Sequence, residues 1–224
     1  MNIFLKSLKV RNRFLIASLL LFIGILFFIL GIGETGLIDE TPPLFASAGK
    51  AMSQSGDWIT PKVNGILRFD KPPFYYWLMA IIYSIPGNQN WDQLGSLSAR
   101  LPSALASLLL FLMLGDSIIY HHKKSKYKSY LALVCSLGFA LSPLVIIWSR
   151  TAVSDSLLCG TIGISLLLFW KKFIGNRNEN CILPWIVLSL AILTKGPVAA
   201  VIVMLTLTIF LLTQPDWRKL LLKI

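Results

Sequence analysis

Residues 14–31 read FLIASLLLFIGILFFILG, an unbroken run from Phe14 to Gly31 without a charged side chain, and Lys6, Lys9, Arg11 and Arg13 stand just ahead of it. A helix needs about 20 apolar residues to cross the hydrocarbon core of a bilayer. A cleaved signal peptide would carry a shorter apolar region, roughly 7–15 residues, and a small-x-small cleavage site. This run is longer and lacks that site, so it reads as a retained first span.

Working outward, similar runs recur at Leu101–Tyr120, Tyr130–Trp148, Ser156–Trp170, Ile182–Leu193 and Val198–Leu212. The last two are separated only by Thr194-Lys195-Gly196-Pro197, a helix-breaking sequence that reads as a tight hairpin. Phe74–Ile85 is apolar and aromatic but ends at Pro86-Gly87, a length that suits an interfacial or re-entrant helix better than a span. Its Tyr75, Tyr76, Trp77 and Tyr83 suit the membrane–water boundary, where amphipathic rings concentrate. The expected fold class is therefore all-α. It is a polytopic membrane helical bundle of about six transmembrane helices with two interfacial helices in the first outer loop. The chain reads as a single transmembrane domain over residues 1–224, with the outer loop at 33–100.

Composition agrees. Of the 224 residues 55% are hydrophobic and 14% charged, where a soluble domain has about 45–50% and about 25%. Mean hydropathy is +0.71. A formal charge of +11 would suggest nucleic acid in a soluble protein. Here the basic residues fall in short clusters between apolar runs, so the lipid bilayer, and not nucleic acid, is the expected partner. Cys135, Cys159 and Cys181 lie in or beside apolar runs without metal-ligand spacing and read as lipid-facing or packed thiols. No metal site is expected from the cysteine and histidine pattern.

Charge also orients the chain, because cytoplasmic loops are enriched in Lys and Arg. With the N-terminus inside and Phe74–Ile85 not crossing, the inner segments hold Lys6, Lys9, Arg11, Arg13, Lys123, Lys124, Lys126, Lys128, Lys171, Lys172, Arg177, Arg218, Lys219 and Lys223, which is 14 of the 21 basic residues. Only Asp116, Glu179 and Asp216 oppose them there. If Phe74–Ile85 crossed, the cluster from His121 to Lys126 would move outside. The expected arrangement is a multi-pass protein of the cell (plasma or inner) membrane with both termini cytoplasmic.

The long outer loop has order of its own. Thr41-Pro42-Pro43 reads as a helix start with Thr41 as cap. Leu44, Ala48, Ala51 and Met52 then recur on one apolar face, and Gly56-Asp57 ends the element. Lys71-Pro72-Pro73 opens the aromatic helix. Asp39, Glu40, Asp70, Lys71, Arg100, Arg150, Asp155 and Lys195 all fall near the same membrane face. Ionisable groups at that depth are costly unless paired or hydrated, which makes them candidates for function. Arg150 and Asp155 also read as a local pair, and His121 and His122 as part of the basic inner loop. A group transferase acting on a lipid phosphate needs cations for the leaving phosphate and a carboxylate for the proton of the incoming hydroxyl.

Four segments occur in order: Asp39-Glu40; Gly56-Asp57-Trp58-Ile59-Thr60-Pro61; Arg68-Phe69-Asp70-Lys71-Pro72-Pro73-Phe74-Tyr75-Tyr76-Trp77; and Ala99-Arg100-Leu101-Pro102-Ser103. Together with Arg150 through Asp155-Ser156-Leu157-Leu158, and with Leu193-Thr194-Lys195-Gly196-Pro197, this resembles the membrane glycosyltransferases that use polyprenyl-phosphate sugars. That family includes protein O-mannosyltransferases and the aminoarabinose transferases of lipid A. The resemblance covers about residues 5–215. It implies inverting transfer of a sugar from a polyprenyl-phosphate donor at the outer leaflet to a hydroxyl or phosphate acceptor. Carried over by position, Asp39 is the catalytic carboxylate with Glu40 supporting it, and Asp155 is the second acid. Lys71 binds the carrier phosphate, Asp70 holds Lys71 or helps bind a metal, and Arg100, Arg150 and Lys195 are cationic supports. The cofactor stays open: Asp70 stands where relatives often have Glu, which weakens a metal role. Relatives are also longer, with more spans and often a C-terminal outer domain. The expectation is therefore a chain matching only the N-terminal portion, whose groove a second chain would complete, or a non-catalytic remnant or subunit of a split enzyme. A small transporter would place its ionisable groups near the bilayer midplane and fits the pattern less well.

Overall fold

The computed structural model describes residues 2–174 and 182–215. It opens with α1 (Asn2–Phe28), followed by α2 (Thr41–Ser55). A small hairpin of β1 (Lys62–Val63) and β2 (Ile66–Leu67) comes next, then α3 (Phe74–Tyr83) and the short α4 (Asn88–Trp91). The remaining helices are α5 (Ser96–His121), α6 (Lys128–Ala140), α7 (Pro143–Ser149), α8 (Ser154–Ile174), α9 (Leu183–Lys195) and α10 (Val198–Leu212). The fold is mostly helical. The hairpin is the exception to an all-α reading, and Asn64-Gly65 had the signal for it: both residues take positive φ, +52° and +80°, as a two-residue type I′ turn requires.

Side-chain contacts fix the direction of each helix. Phe28 stacks edge-on against Phe111, and Leu20 lies against Gly115, so α1 runs antiparallel to α5. Ser107, midway along α5, bonds Ser156 at the start of α8 at 2.7 Å, and Lys171 bonds Asp116 toward the far end of both helices, so these two run parallel. The kinked α6–α7 segment returns between them. Helix α9 turns back along α8, with Ser165 bonding Pro184 O and Phe169 packed edge-on against Trp185. Helix α10 then follows α8, with Phe210 stacked on Phe173. Among the described residues the chain traverses the bundle six times. The start of α1 and the end of α10 therefore lie at the same end.

Small residues let the central helices approach. A Cβ on Gly160 would lie 2.9 Å from both the Cβ and the carbonyl oxygen of Ala106, so α8 meets α5 backbone to side chain, the close packing that helices without a water-driven core rely on. Three buried clusters result. One joins α2, α3 and the early turns of α5 and α8 around Phe45, Tyr75, Tyr76, Ala99 and Leu157. The second joins α1, α5 and α6 around Phe28 and Phe111. The third joins α8, α9 and α10 around Phe169 and Val203.

Several expectations change. Helices α5 and α8 are each long and apolar enough to cross a membrane. The expected third span, Tyr130–Trp148, is two helices bent by 67°. Pro143 lacks an N–H and holds Ser142 extended at φ −62°, ψ 124°, which breaks the ladder there. Helices α9 and α10, at 13 and 15 residues, reach only about 20 and 22 Å, short of a hydrocarbon core of about 30 Å. Helix α5 starts before Leu101, because the buried Asp92 carboxylate accepts the N–H groups of Leu97 (3.1 Å) and Ser98 (2.7 Å) and so caps its first turn. Thr41 is not the cap of α2: Glu40 holds that position, and no side chain caps it. The face that α2 buries is Pro42, Phe45, Ala46, Ala48, Gly49 and Met52, turned toward α3, while Leu44 and Ala51 are half-buried. Tyr75 and Tyr76 are fully buried and serve the protein interior, not the membrane boundary. Asp116 accepts from Lys171. Cys135 and Cys159 are free and exposed on their helices; Cys181, Glu179, Asp216, Arg177, Arg218, Lys219 and Lys223 lie outside the described residues.

Candidate active site

The eight residues singled out in the sequence gather at one end of the bundle, where α1 and α9 finish and α5 and α8 begin. Two arginines build the first wall. Arg150 donates to Phe27 O at 3.1 Å and Leu30 O at 2.8 Å. It thereby covers the orphan carbonyls at the end of α1, where the helix dipole favours a cation. Arg100, only 8% exposed, donates through Nη1 to Ile32 O (2.6 Å), Thr35 O (2.8 Å) and Thr35 Oγ1 (3.0 Å), and through Nη2 to Gly36 O (2.8 Å). Ser96 adds a bond to Gly33 O at 3.0 Å. Both guanidinium groups are thus committed to backbone, and what they hold in place is the loop that carries Asp39. Arg150 does not pair with Asp155.

Asp39 sits at φ +80°, a left-handed conformation that Asp and Asn tolerate better than other side chains. It is exposed, and its Oδ1 accepts the N–H of Glu40 at 2.8 Å. The exposed Glu40 stands at the start of α2, where the positive end of the helix dipole favours a carboxylate.

The second wall is the segment before α3. Asp70 Oδ2 accepts from Arg68 at 2.9 Å and Asp70 Oδ1 accepts from the Tyr76 hydroxyl at 3.2 Å. Arg68, not Lys71, therefore holds Asp70. Burial, and after it the Asp70 charge, push the Tyr76 phenol up to about 12 against the opposing pull of Arg68, so it remains a donor. Lys71 is half-buried and makes no hydrogen bond or ion pair among the described residues, which leaves a cation at the start of α3 available to a ligand.

The third wall is Asp155 in the first turn of α8. Its Oδ1 accepts from Lys195 Nζ at 2.5 Å. Underneath, Tyr75 bonds Ser103 Oγ at 2.9 Å, and Ser103 donates to Val153 O at 2.9 Å, so α3 and α5 together fix the turn from which Asp155 projects. Burial is the leading cause that raises the Tyr75 phenol, and the Asp155 charge adds to it. Asp155 also lies on the rim of a groove of about 280 Å³ whose walls include Leu110, Phe139, Leu144, Trp148 and Cys159. The bend between α6 and α7 supplies Phe139 on one side and Leu144 and Trp148 on the other. The groove is apolar with one carboxylate at its edge, a composition suited to a hydrocarbon chain with a polar head.

One apolar cluster ties the three walls together. Leu37, two residues before Asp39, packs against a cluster that includes Tyr75 and Tyr76, near the Asp70 segment, and Ala152 and Leu157, near Asp155. No group of three His, Cys, Asp or Glu side chains among the described residues is placed to hold a metal ion, and both Asp70 oxygens already have partners. Sequence reading missed Arg68 and Tyr76 as partners of Asp70, although both lie within the motif that drew attention to it. It also missed the Tyr75–Ser103–Val153 chain, for which residues far apart in sequence offered no local signal.

Comparison with known proteins gives a consistent picture. The family model described as dolichyl-phosphate-mannose-protein mannosyltransferase matches residues 70–224. The undecaprenyl phosphate-alpha-4-amino-4-deoxy-L-arabinose arabinosyl transferase of Pseudomonas aeruginosa (strain UCBPP-PA14) is 28% identical over 208 residues, covering 91% of this chain and 36% of the relative. An uncharacterized protein of Aquifex aeolicus (strain VF5) is 32% identical over 200 residues, covering 88% of this chain and 42% of that protein. Crystal structures of ArnT from Cupriavidus metallidurans, in the apo state and bound to undecaprenyl phosphate, superpose with TM-scores of 0.74 and 0.76 at 22% identity. They cover 92% and 91% of this chain and 38% and 37% of theirs. The likeness in fold is therefore close, and the chain spans well under half the length of these relatives.

Proposed function

The chain belongs to the dolichyl-phosphate-mannose-protein mannosyltransferase family, and on that footing we propose that it forms the donor side of an inverting glycosyltransferase. The reaction moves a sugar from a polyprenyl-phosphate carrier to a hydroxyl or phosphate acceptor at the outer face of the membrane. The observation that carries this reading is the grouping at one end of the bundle. Exposed Asp39, uncommitted Lys71 and the Asp155–Lys195 pair surround a single apolar cluster, beside a groove of hydrocarbon character. The arabinosyl transferase name of the Pseudomonas relative and the undecaprenyl phosphate bound to the structural neighbour support the same donor class.

With a hydroxyl acceptor, its oxygen attacks the anomeric carbon on the face opposite the phosphate, and the bond from that carbon to the phosphate oxygen breaks. The carrier leaves as a lipid monophosphate while the acceptor's proton passes to Asp39. Lys71 neutralises the departing phosphate as a point charge. Asp155, held by Lys195, is the second acid of the site. Glu40 supports Asp39, and Arg100 and Arg150 act through the backbone that they fix. The groove beside Asp155 takes part of the isoprenoid chain.

In this reading the bundle lies in the cell (inner) membrane, with α2 and α3 on its outer surface. Both termini are cytoplasmic, because Lys123, Lys124, Lys128, Lys171 and Lys172 gather at the end opposite the site. The coverage of 36% of the Pseudomonas relative favours one addition: a further polypeptide, in cis or in trans, completes the carrier groove.

The test is transfer of label from radiolabelled polyprenyl-phosphate sugars by membranes carrying the chain, with and without that further polypeptide. Asp39→Asn suits the left-handed backbone and removes only the charge. It and Lys71→Ala should each abolish transfer while insertion is unchanged. Transfer at the unsubstituted rate by both variants would refute the site. Transfer by the chain and its further polypeptide, but by neither alone, would make this chain a subunit.

A further inference from the structure

The end of the bundle opposite the site holds a second concavity, of about 430 Å³, formed by the last turn of α5, the turn after it and the end of α8. His121, His122, Lys123, Lys124 and Ser125 line it, and among the described residues no carboxylate does. Asp116, the nearest acid on α5, accepts from Lys171 at 2.5 Å. The cationic rim is partly pre-organised. Lys123 Nζ sits 3.6 Å above the centre of the Tyr120 ring, a cation–π contact that limits its rotamers. His121 lies against Trp170 with ring centres 5.0 Å apart. Tyr120 and Ile174 supply an apolar wall beneath the rim, where two apolar helices end.

We propose that this pocket binds the phosphate headgroup of an anionic glycerophospholipid, with the lysines on the phosphate and the glycerol and first acyl carbons against Tyr120 and Ile174. A basic rim calls for an anion. An apolar wall in the same concavity calls for a hydrocarbon portion attached to that anion, which inorganic phosphate lacks. Basic pockets between membrane helices on the inner side bind such headgroups. The assignment rests on the chain being membrane-embedded and is independent of the transfer reaction.

The experiment reconstitutes the full chain in nanodiscs of phosphatidylcholine containing a minority of phosphatidylglycerol and counts retained phosphatidylglycerol by native mass spectrometry. Retention should fall about fivefold for each lysine removed, in Lys124→Gln and further in Lys123→Gln/Lys124→Gln. It should be unchanged in Lys50→Gln/Lys62→Gln, which removes two lysines from the opposite end. Excess inorganic phosphate should not displace the lipid. Equal retention in the Lys123→Gln/Lys124→Gln variant, equal loss in the Lys50→Gln/Lys62→Gln control, or displacement by inorganic phosphate would each overturn the assignment. The single variant at exposed Lys124 keeps the test valid if the double one unfolds.

Discussion

Lys195 Nζ lies 2.5 Å from Asp155 Oδ1, and this ion pair joins the last turn of α9 to the first turn of α8. Each partner also complements its own helix, the carboxylate near a positive N-terminus and the ammonium near a negative C-terminus.

Lys195→Met separates the pair's chemical role from its structural one. The two side chains are 29% and 44% exposed, so stability should change by no more than about 1 kcal/mol. Transfer should fall at least tenfold if Asp155 must be held in place, since a tenfold change needs only about 1.4 kcal/mol in the transition state. The exchange Asp155→Lys with Lys195→Asp restores opposite charges but sets each against its own helix dipole, so it should recover neither the melting temperature nor the transfer rate. A melting curve and a labelled-donor assay on the same preparations check both.

Arg100→Met should behave differently. It strips the bonds from the carbonyls of Ile32, Thr35 and Gly36 and leaves the buried Ile32 carbonyl unpaired, at a cost of about 1–3 kcal/mol. Arg100→Lys should recover little, because one ammonium lacks the planar fork that reaches several carbonyls at once. Thermal melting in detergent reads the loss, and faster proteolysis of the segment around Asp39 should accompany it.

Gly160 and Gly138 make a matched pair. A methyl at Gly160 meets the backbone oxygen of Ala106, whereas one at Gly138 meets nothing within 4 Å. Gly160→Ala should destabilise by about 1–3 kcal/mol through overpacking. Gly138→Ala should be neutral or slightly stabilising, by up to about 1 kcal/mol, as expected for Gly in a helix interior. Comparing the two melting temperatures tests whether α5 and α8 touch as closely as described.

Tyr76 gives a pH dependence with a definite sign. Its folded phenol is raised to about 12 from an ordinary value of 10.0, so the folded state keeps the proton longer than the unfolded one. The stability that this contributes is full below pH 10 and is lost as the pH rises through about 12. Relative to Tyr76→Phe, the unsubstituted protein should lose stability across that window. Parallel curves for the two proteins from pH 9 to about 12 would show that Tyr76 is not the shifted group.

The one-dimensional pattern of apolar runs and basic clusters was enough to foretell a mostly helical chain of apolar helices with the eight ionisable residues toward one end. Hydrophobic length and charge asymmetry act along the chain and need no tertiary information. Asp39-Glu40 together with Lys71-Pro72-Pro73 and the later motifs was enough to point to the family. Ion-pair partners were a different matter. Proximity in sequence suggested Arg150 with Asp155, and the family resemblance implied Asp70 with Lys71, while the folded chain pairs Asp155 with Lys195, Asp70 with Arg68, and Arg150 with the end of α1. The tertiary structure alone also buried Tyr75 and Tyr76 and bent the third traverse at Pro143. Which partner Asp155 and Arg150 meet depends on the direction in which elements forty or more residues apart present their side chains, and that direction exists only once the helices have packed, whereas Asp70 and Arg68 are set by the local course of the segment before α3.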